Sequence, residues 1–183
     1  MSVDPTNKGA AHLSEQIGRL ADEAAVVRVL HEYAEALDHG LAEQFAECFT
    51  SDAVFEIRVP EPIPADYPTR GGRIVPGAVR YTGRAEIMEF FAQHTHAPEA
   101  AHKHVVTNAI VDLDGDVARC RSYFQRTDVS TETQNFIRVF GRYVDELHRS
   151  EAKWRIARRV AEPDSIDLRS IRVDGPPTTK DRP

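Results

Sequence analysis

The stretch His102–Asp128, HKHVVTNAIVDLDGDVARCRSYFQRTD, decides the fold. Two runs of β-branched and alternating residues flank Asp114-Gly115-Asp116. Asp-Gly between such runs is a strong hairpin signal, because glycine accepts the positive φ that the turn needs. On the first strand Val105, Thr107, Ala109, Val111 and Leu113 share one face, and His104, Val106, Asn108, Ile110 and Asp112 share the other. If the second, mixed face lines a pocket, it carries His104 and Asn108 into it, and His104 sits where a proton-transfer group is useful.

Working outward, residues 1–20 are polar, with a short helix around Ser14–Leu20 and a disordered start. From Asp22, a plausible N-cap, Val26, Leu30, Tyr33, Ala34 and Leu37 recur at helical spacing until Gly40. Asp38 falls on the same face, where an unpartnered carboxylate would cost several kcal/mol. A second helix spans Leu41–Phe49. A strand follows with Ala53, Phe55, Ile57 and Val59 alternating against Glu56 and Arg58. Pro60–Gly83, rich in Pro and Gly, reads as a long loop, either a lid or a surface excursion. Thr82-Gly83-Arg84-Ala85-Glu86 opens a third helix with Ile87, Phe90 and Phe91 on its apolar face. After the hairpin and a polar loop at Ser130–Gln134 come the strands NFIRVFGRYVDEL and WRIARRVAE, then an aperiodic tail. The order is that of an α+β domain with helices on one face of a curved, mainly antiparallel sheet. Its organisation is a flexible segment 1–20, a single domain 21–164 and an irregular tail 165–183.

The 183 residues suit one domain, and 41% hydrophobic with 28% charged residues is the balance of a soluble globular protein. A net charge of -6 argues against nucleic acid or an anionic membrane as partner. Arg119, Arg121 and Arg126 read as a solvated strand face. Cys48 and Cys120 show no metal or redox spacing and read as buried free thiols in a reducing, cytoplasmic compartment. No run approaches the length of a membrane span. Phosphate loops, a GxSxG nucleophile and a dinucleotide fingerprint are absent, so no cofactor is implied.

A helix ending in Asp-x-Gly, FTSDAVFEI, TGRAEI, the phrase from His104 through Ser122-Tyr123, GRYVDEL and WRIARR together resemble the SnoaL-like members of the nuclear transport factor 2-like superfamily over about Ala21–Asp164. The resemblance implies a cone-shaped barrel whose strongly curved sheet is closed by three N-terminal helices around a pocket. It also implies a homo-oligomer, a dimer or trimer. In the scytalone dehydratase and hexachlorocyclohexane dehydrochlorinase branch, a His opening the strand after the third helix pairs with an Asp ending the first. Those positions match His104 and Asp38. The dehydrochlorinase's pocket Arg matches Arg159, with Arg158 taking its place if the register slips by one. The dehydrochlorinase's Lys has no counterpart, and scytalone dehydratase's two tyrosines fall near Leu37 and Phe55, which speaks against a scytalone-type reaction.

Such a dyad suits cofactor-free abstraction of a carbon-bound proton. The His accepts it, the Asp fixes the tautomer, and an Arg receives the developing anion. The expected function is a lyase, isomerase or cyclase acting on a hydrophobic small molecule, with elimination favoured. Its catalytic residues are His104, Asp38 and Arg159; Tyr33, Phe55, Tyr123, Phe140 and Asn108 contact the substrate. The alternatives are a non-catalytic binding protein, with the His-Asp pair a satisfied polar couple and the aromatics plain core, and a metal site built from His94-x-His96 and His102-x-His104. No metal is implied by ligand spacing, since no carboxylate follows at a recognisable interval.

Overall fold

The computed structural model describes residues 5–97, 100–129 and 135–164; the loop read at Ser130–Gln134 and the tail 165–183 lie outside them. The elements are α1 (Pro5–His39), α2 (Ala42–Glu47), β1 (Phe49–Arg58), β2 (Arg73–Val75), β3 (Ala78–Thr82), α3 (Gly83–Ala92), β4 (His102–Asp114), β5 (Val117–Val129), β6 (Asn135–Ser150) and β7 (Lys153–Pro163). This is the expected α+β class.

α1 is one helix that buries Val26, Leu30, Tyr33, Ala34 and Leu37, the i, i+3/i+4 stripe read from the sequence, and Val29 beside them. It begins well before Asp22, which is therefore not its N-cap. The Asp22 carboxylate instead accepts hydrogen bonds from Arg149 Nη1 at 2.7 and 2.9 Å and from Trp154 Nε1 at 3.1 Å, tying the helix to β6 and β7. The helix stops at Gly40 (φ 68), where the Leu41 N–H bonds the Ala36 carbonyl at 3.0 Å, a Schellman closure that leaves Asp38 in the last turn.

One seven-stranded sheet runs in the order β2-β3-β1-β7-β6-β5-β4. β1 and β7 pair in parallel and the other neighbours are antiparallel. The sheet is open: β2 and β4 are its two edges, so it is not a closed barrel. α1 packs on β4 and β7, and α3 on β1 and β3, so helices cover the inner face. Between them Tyr33, Phe45, Phe49 and Phe91 form an aromatic core with ring centroids 4.6 to 5.8 Å apart.

Pro60–Gly83 is not all loop. Its second half folds as the β2–β3 hairpin, with Val75 paired to Ala78. A three-residue strand amid Pro and Gly leaves too little alternation to read.

The β4–β5 hairpin closes through Gly115 (φ 60) with Asp114 opposite Val117, as expected. Its facing differs from the reading. Asn108 adopts φ 54 and the register shifts between Thr107 and Ile110, a bulge that inverts side-chain parity. His102, His104 and Val106 turn inward before it, while Ala109, Val111 and Leu113 pack on the core after it. Asn108 and Ile110 are exposed.

Candidate active site

Asp38 and His104, 66 positions apart, meet where the end of α1 crosses the start of β4. His104 Nδ1 lies 2.6 Å from Asp38 Oδ1, and the His104 backbone N–H donates to Oδ2 at 2.9 Å. One carboxylate thus holds both the ring and the backbone of the same residue. Burial alone would raise the Asp38 carboxyl, but the hydrogen bonds and charge of His104 outweigh it and keep the group below its ordinary range. An ionised Asp38 calls for the proton on Nδ1, which leaves Nε2 as the basic nitrogen.

The segment after α3 braces this corner. His96 spans the Leu37 carbonyl (2.7 Å) and the Phe91 carbonyl (3.0 Å), and the Ala97 N–H bonds the Asp38 carbonyl at 3.1 Å. His94 Nδ1 faces the Thr95 carbonyl at 2.7 Å and its Nε2 lies 3.2 Å from Arg126 Nη1, so Nε2 is the acceptor and the ring is neutral. Burial, then the charges of His104 and Arg126, push the His94 pKa far down.

His104 opens on a cavity of about 160 Å³ between the helices and the sheet. Its walls are aromatic, with Tyr33, Phe55, Tyr81, Phe90, Phe124 and Tyr143. Its polar lining comes from His94, His104, Arg70, Arg126 and Arg138. Tyr67, Pro68 and Arg70 come from the proline-rich loop, which is held by a 2.7 Å hydrogen bond from the Tyr81 hydroxyl to the Thr69 carbonyl.

Of the residues read from the sequence, His104, Tyr33 and Phe55 line the cavity, with Asp38 directly behind His104. Asn108 is turned out by the bulge. Tyr123 and Phe140 lie on the outer face, 60% and 48% exposed, and their neighbours Phe124 and Val139 line the cavity instead. Arg159 does not reach it. The guanidinium is fully buried, donates to both Asp145 oxygens at 2.8 Å, and sits 4.1 Å from the ring centroids of Tyr33 and Tyr143. It underpins two wall residues rather than meeting a ligand.

Two kinds of residue were missed. Arg126, read as solvated, faces inward and stands opposite His104 in the β4–β5 pairing. Counted back from the turn without a bulge, His104 would face Thr127; the extra residue at Asn108 brings Arg126 across. The other is His102, named before only as half of a metal pair. Its ring is buried with Nε2 3.5 Å from Asp38 Oδ1, and neither nitrogen has a hydrogen-bond partner among the described residues. Burial, then Arg126 and His104, bring its pKa down to about 4. Asp38, His102 and His104 each offer one ligand atom, all within 4.8 Å of one another, a donor set suited to a divalent first-row metal. His94 and His96, occupied by the contacts above, are not part of it.

Helices packed on one face of an open, mainly antiparallel sheet, with a cavity between them, are the architecture of the nuclear transport factor 2-like superfamily. The profile of the SnoaL-like domain matches residues 18–160, and the chain belongs to that family, as its motifs implied. None of the curated proteins compared matches it. Solved structures carry the same fold under several descriptions. A nuclear transport factor 2-like protein with a cystatin-like fold from Novosphingobium aromaticivorans is 20% identical, covering 93% of this chain and 97% of its own, at a TM-score of 0.67. A protein from the same organism, provisionally described as an aromatic ring hydroxylase, is 27% identical over 80% of this chain and 92% of its own, at 0.56. Hexachlorocyclohexane dehydrochlorinase LinA type 2 is 15% identical over 82% of this chain and 90% of its own, at 0.60. No helix among the described residues is long and apolar enough to cross a membrane.

Proposed function

We propose that the cavity is the active site of a cofactor-independent lyase, isomerase or cyclase, with elimination its favoured reaction on a hydrophobic small molecule. The observation that supports this best is the 2.6 Å contact between His104 and a buried, ionised Asp38 at the edge of an aromatic cavity. In an elimination, His104 Nε2 takes a proton from a substrate carbon. The C–H electron pair becomes the new double bond, and the leaving group departs from the adjacent carbon with its own pair. The imidazolium then returns its proton to that group, giving water where the leaving group is hydroxide. Asp38 stabilises the imidazolium while it exists. The electrophilic part assigned to Arg159 passes to Arg126, which borders the cavity beside His104. A dehydrochlorinase among the solved relatives is consistent with chemistry of this class.

The test is deuterium incorporation from D₂O into a panel of cyclic carbon acids, followed by NMR. The wild type is expected to catalyse exchange or turnover of at least one member, with His104→Gln and Asp38→Asn each slower by about 10²- to 10⁴-fold. Rates indifferent to His104→Gln favour the non-catalytic binding protein. The second reading is a metal centre, favoured by the unpartnered ring of His102 beside Asp38. Stoichiometric zinc or iron in the same preparation, removed by chelator with loss of the rate, would replace the dyad mechanism.

The cytoplasmic assignment rests on Cys48 and Cys120, both free and buried. Burial first, against the charge of Arg159, pushes both thiols up to about 12. A homo-oligomer completes the proposal, since the outer sheet face leaves Val105, Tyr123, Ile137 and Phe140 exposed side by side.

A further inference from the structure

The cavity around His104 is cationic on one side and apolar on the other. Arg70, Arg126 and Arg138 all border it, and among the described residues no Asp or Glu lines it. The carboxylate paired with Arg126 and Arg138 is Asp128, set back from the lining. It takes Arg126 at 2.6 and 3.2 Å and Arg138 at 2.5 Å. Arg70 adds a third cation. It has no ion pair among the described residues, and its Nε is buried without a hydrogen-bond partner.

The backbone makes this arrangement more telling. Arg70 adopts φ 50, a left-handed conformation that costs a residue with a side chain of order 1 kcal/mol. The bond from Tyr81 to the adjacent Thr69 carbonyl holds the loop in place. A strained backbone therefore carries a half-buried cation to a cavity whose described lining supplies no carboxylate. Burial first, then the like charges of Arg126 and Arg138, lower the Arg70 pKa, while Tyr81 and Tyr67 act in the opposite sense. A buried unpaired guanidinium is costly, and an arriving oxyanion would relieve that cost through forked hydrogen bonds.

Size limits the remainder of the ligand. A cavity near 160 Å³ is close to the ~150 Å³ dry cavity that takes one benzene ring.

We infer that the ligand of this cavity is a compact hydrophobic acid of about one ring, its carboxylate received by Arg70 with Arg126 and Arg138 beside it, and its carbon skeleton against Phe55, Tyr81 and Phe90. The inference rests on the cavity being the functional site and narrows the substrate class of the proposed reaction. The acid would anchor at the guanidinium side and leave its ring carbons to His104.

The test is calorimetric titration of the full chain with benzoate and with benzamide, which share ring and shape and differ in charge. Benzoate is expected to bind at least about ten-fold more tightly. Added salt should weaken benzoate alone, and Arg70→Gln should abolish the preference while melting as the wild type does. If Arg70→Gln does not fold, Arg70→Lys is read in its place; it keeps the charge without the fork and should retain only part of the preference. The preference is read as binding without turnover, so a failure of the proton chemistry leaves this result standing. Equal affinities, tighter benzamide, no binding of either probe, or an undiminished preference in the Arg70 variant would each overturn the inference.

Discussion

Arg159 and Asp145 show how much a single buried pair can govern. Both side chains have no exposure, they meet through two 2.8 Å bonds, and the guanidinium is flanked by the rings of Tyr33 and Tyr143. Burial opposes the charge, but Asp145 more than compensates and the Arg159 pKa is raised. Arg159→Met leaves a carboxylate buried without its partner, so the variant is expected to be less stable by about 3–5 kcal/mol. Arg159→Met with Asp145→Leu removes both charges and is expected to recover most of the loss. Urea midpoints of the two variants check this, and a double variant no better than the single one contradicts it. His104 and Asp38 could be paired from the sequence only through family motifs, because no spacing rule joins residues 66 apart. Arg159 was read as reaching the pocket by the same route and stops one layer short, since sequence does not show how deep a strand residue lies.

At the level of elements, the hairpin was legible because Asp-Gly chemistry and period-two alternation agree there. The bulge was not, because the left-handed residue that makes it is an asparagine within an otherwise unbroken strand pattern. Its consequence reached several assignments together: Asn108 moved out and Arg126 came in. On β6, Phe136, Ile137, Val139 and Phe140 put apolar side chains on both faces, so alternation could not tell which face is inner. The outer face explains those residues if it is covered by a second copy. Phe140→Glu together with Tyr123→Glu is expected to shift the mass measured by light scattering from a dimer or trimer to a monomer while the melting transition remains cooperative. A wild type already monomeric at high concentration, or a variant with unchanged mass, would remove the assembly from consideration.

At the level of the whole molecule, the buried histidines make stability a function of pH. His94 is held far below its ordinary value, and His102 at about 4. Each has a folded pKa below its unfolded value near 6.5, so the unfolded chain takes up these protons first. Their cost is absent above about pH 6.5 and grows as pH falls toward 4, by up to about 1.4 kcal/mol per pH unit for each ring. Asp38, whose folded pKa is depressed, acts in the same direction: its stabilisation is present above its unfolded value and is lost as pH falls further. Denaturant midpoints are therefore expected to be flat at and above neutrality and to drop steeply between about pH 6.5 and 4. A flat profile across that interval would mean that the two rings become charged in the folded protein without penalty.

The proline-rich loop adds a property that belongs to descent rather than to chemistry. It brings Tyr67, Pro68 and Arg70 to the cavity, whereas Asp38 and His104 are held by a helix terminus and a strand that do not depend on it. Insertions, deletions or exchanges within that one connection are therefore expected to rewrite this part of the cavity wall while the contact between Asp38 and His104 stays untouched.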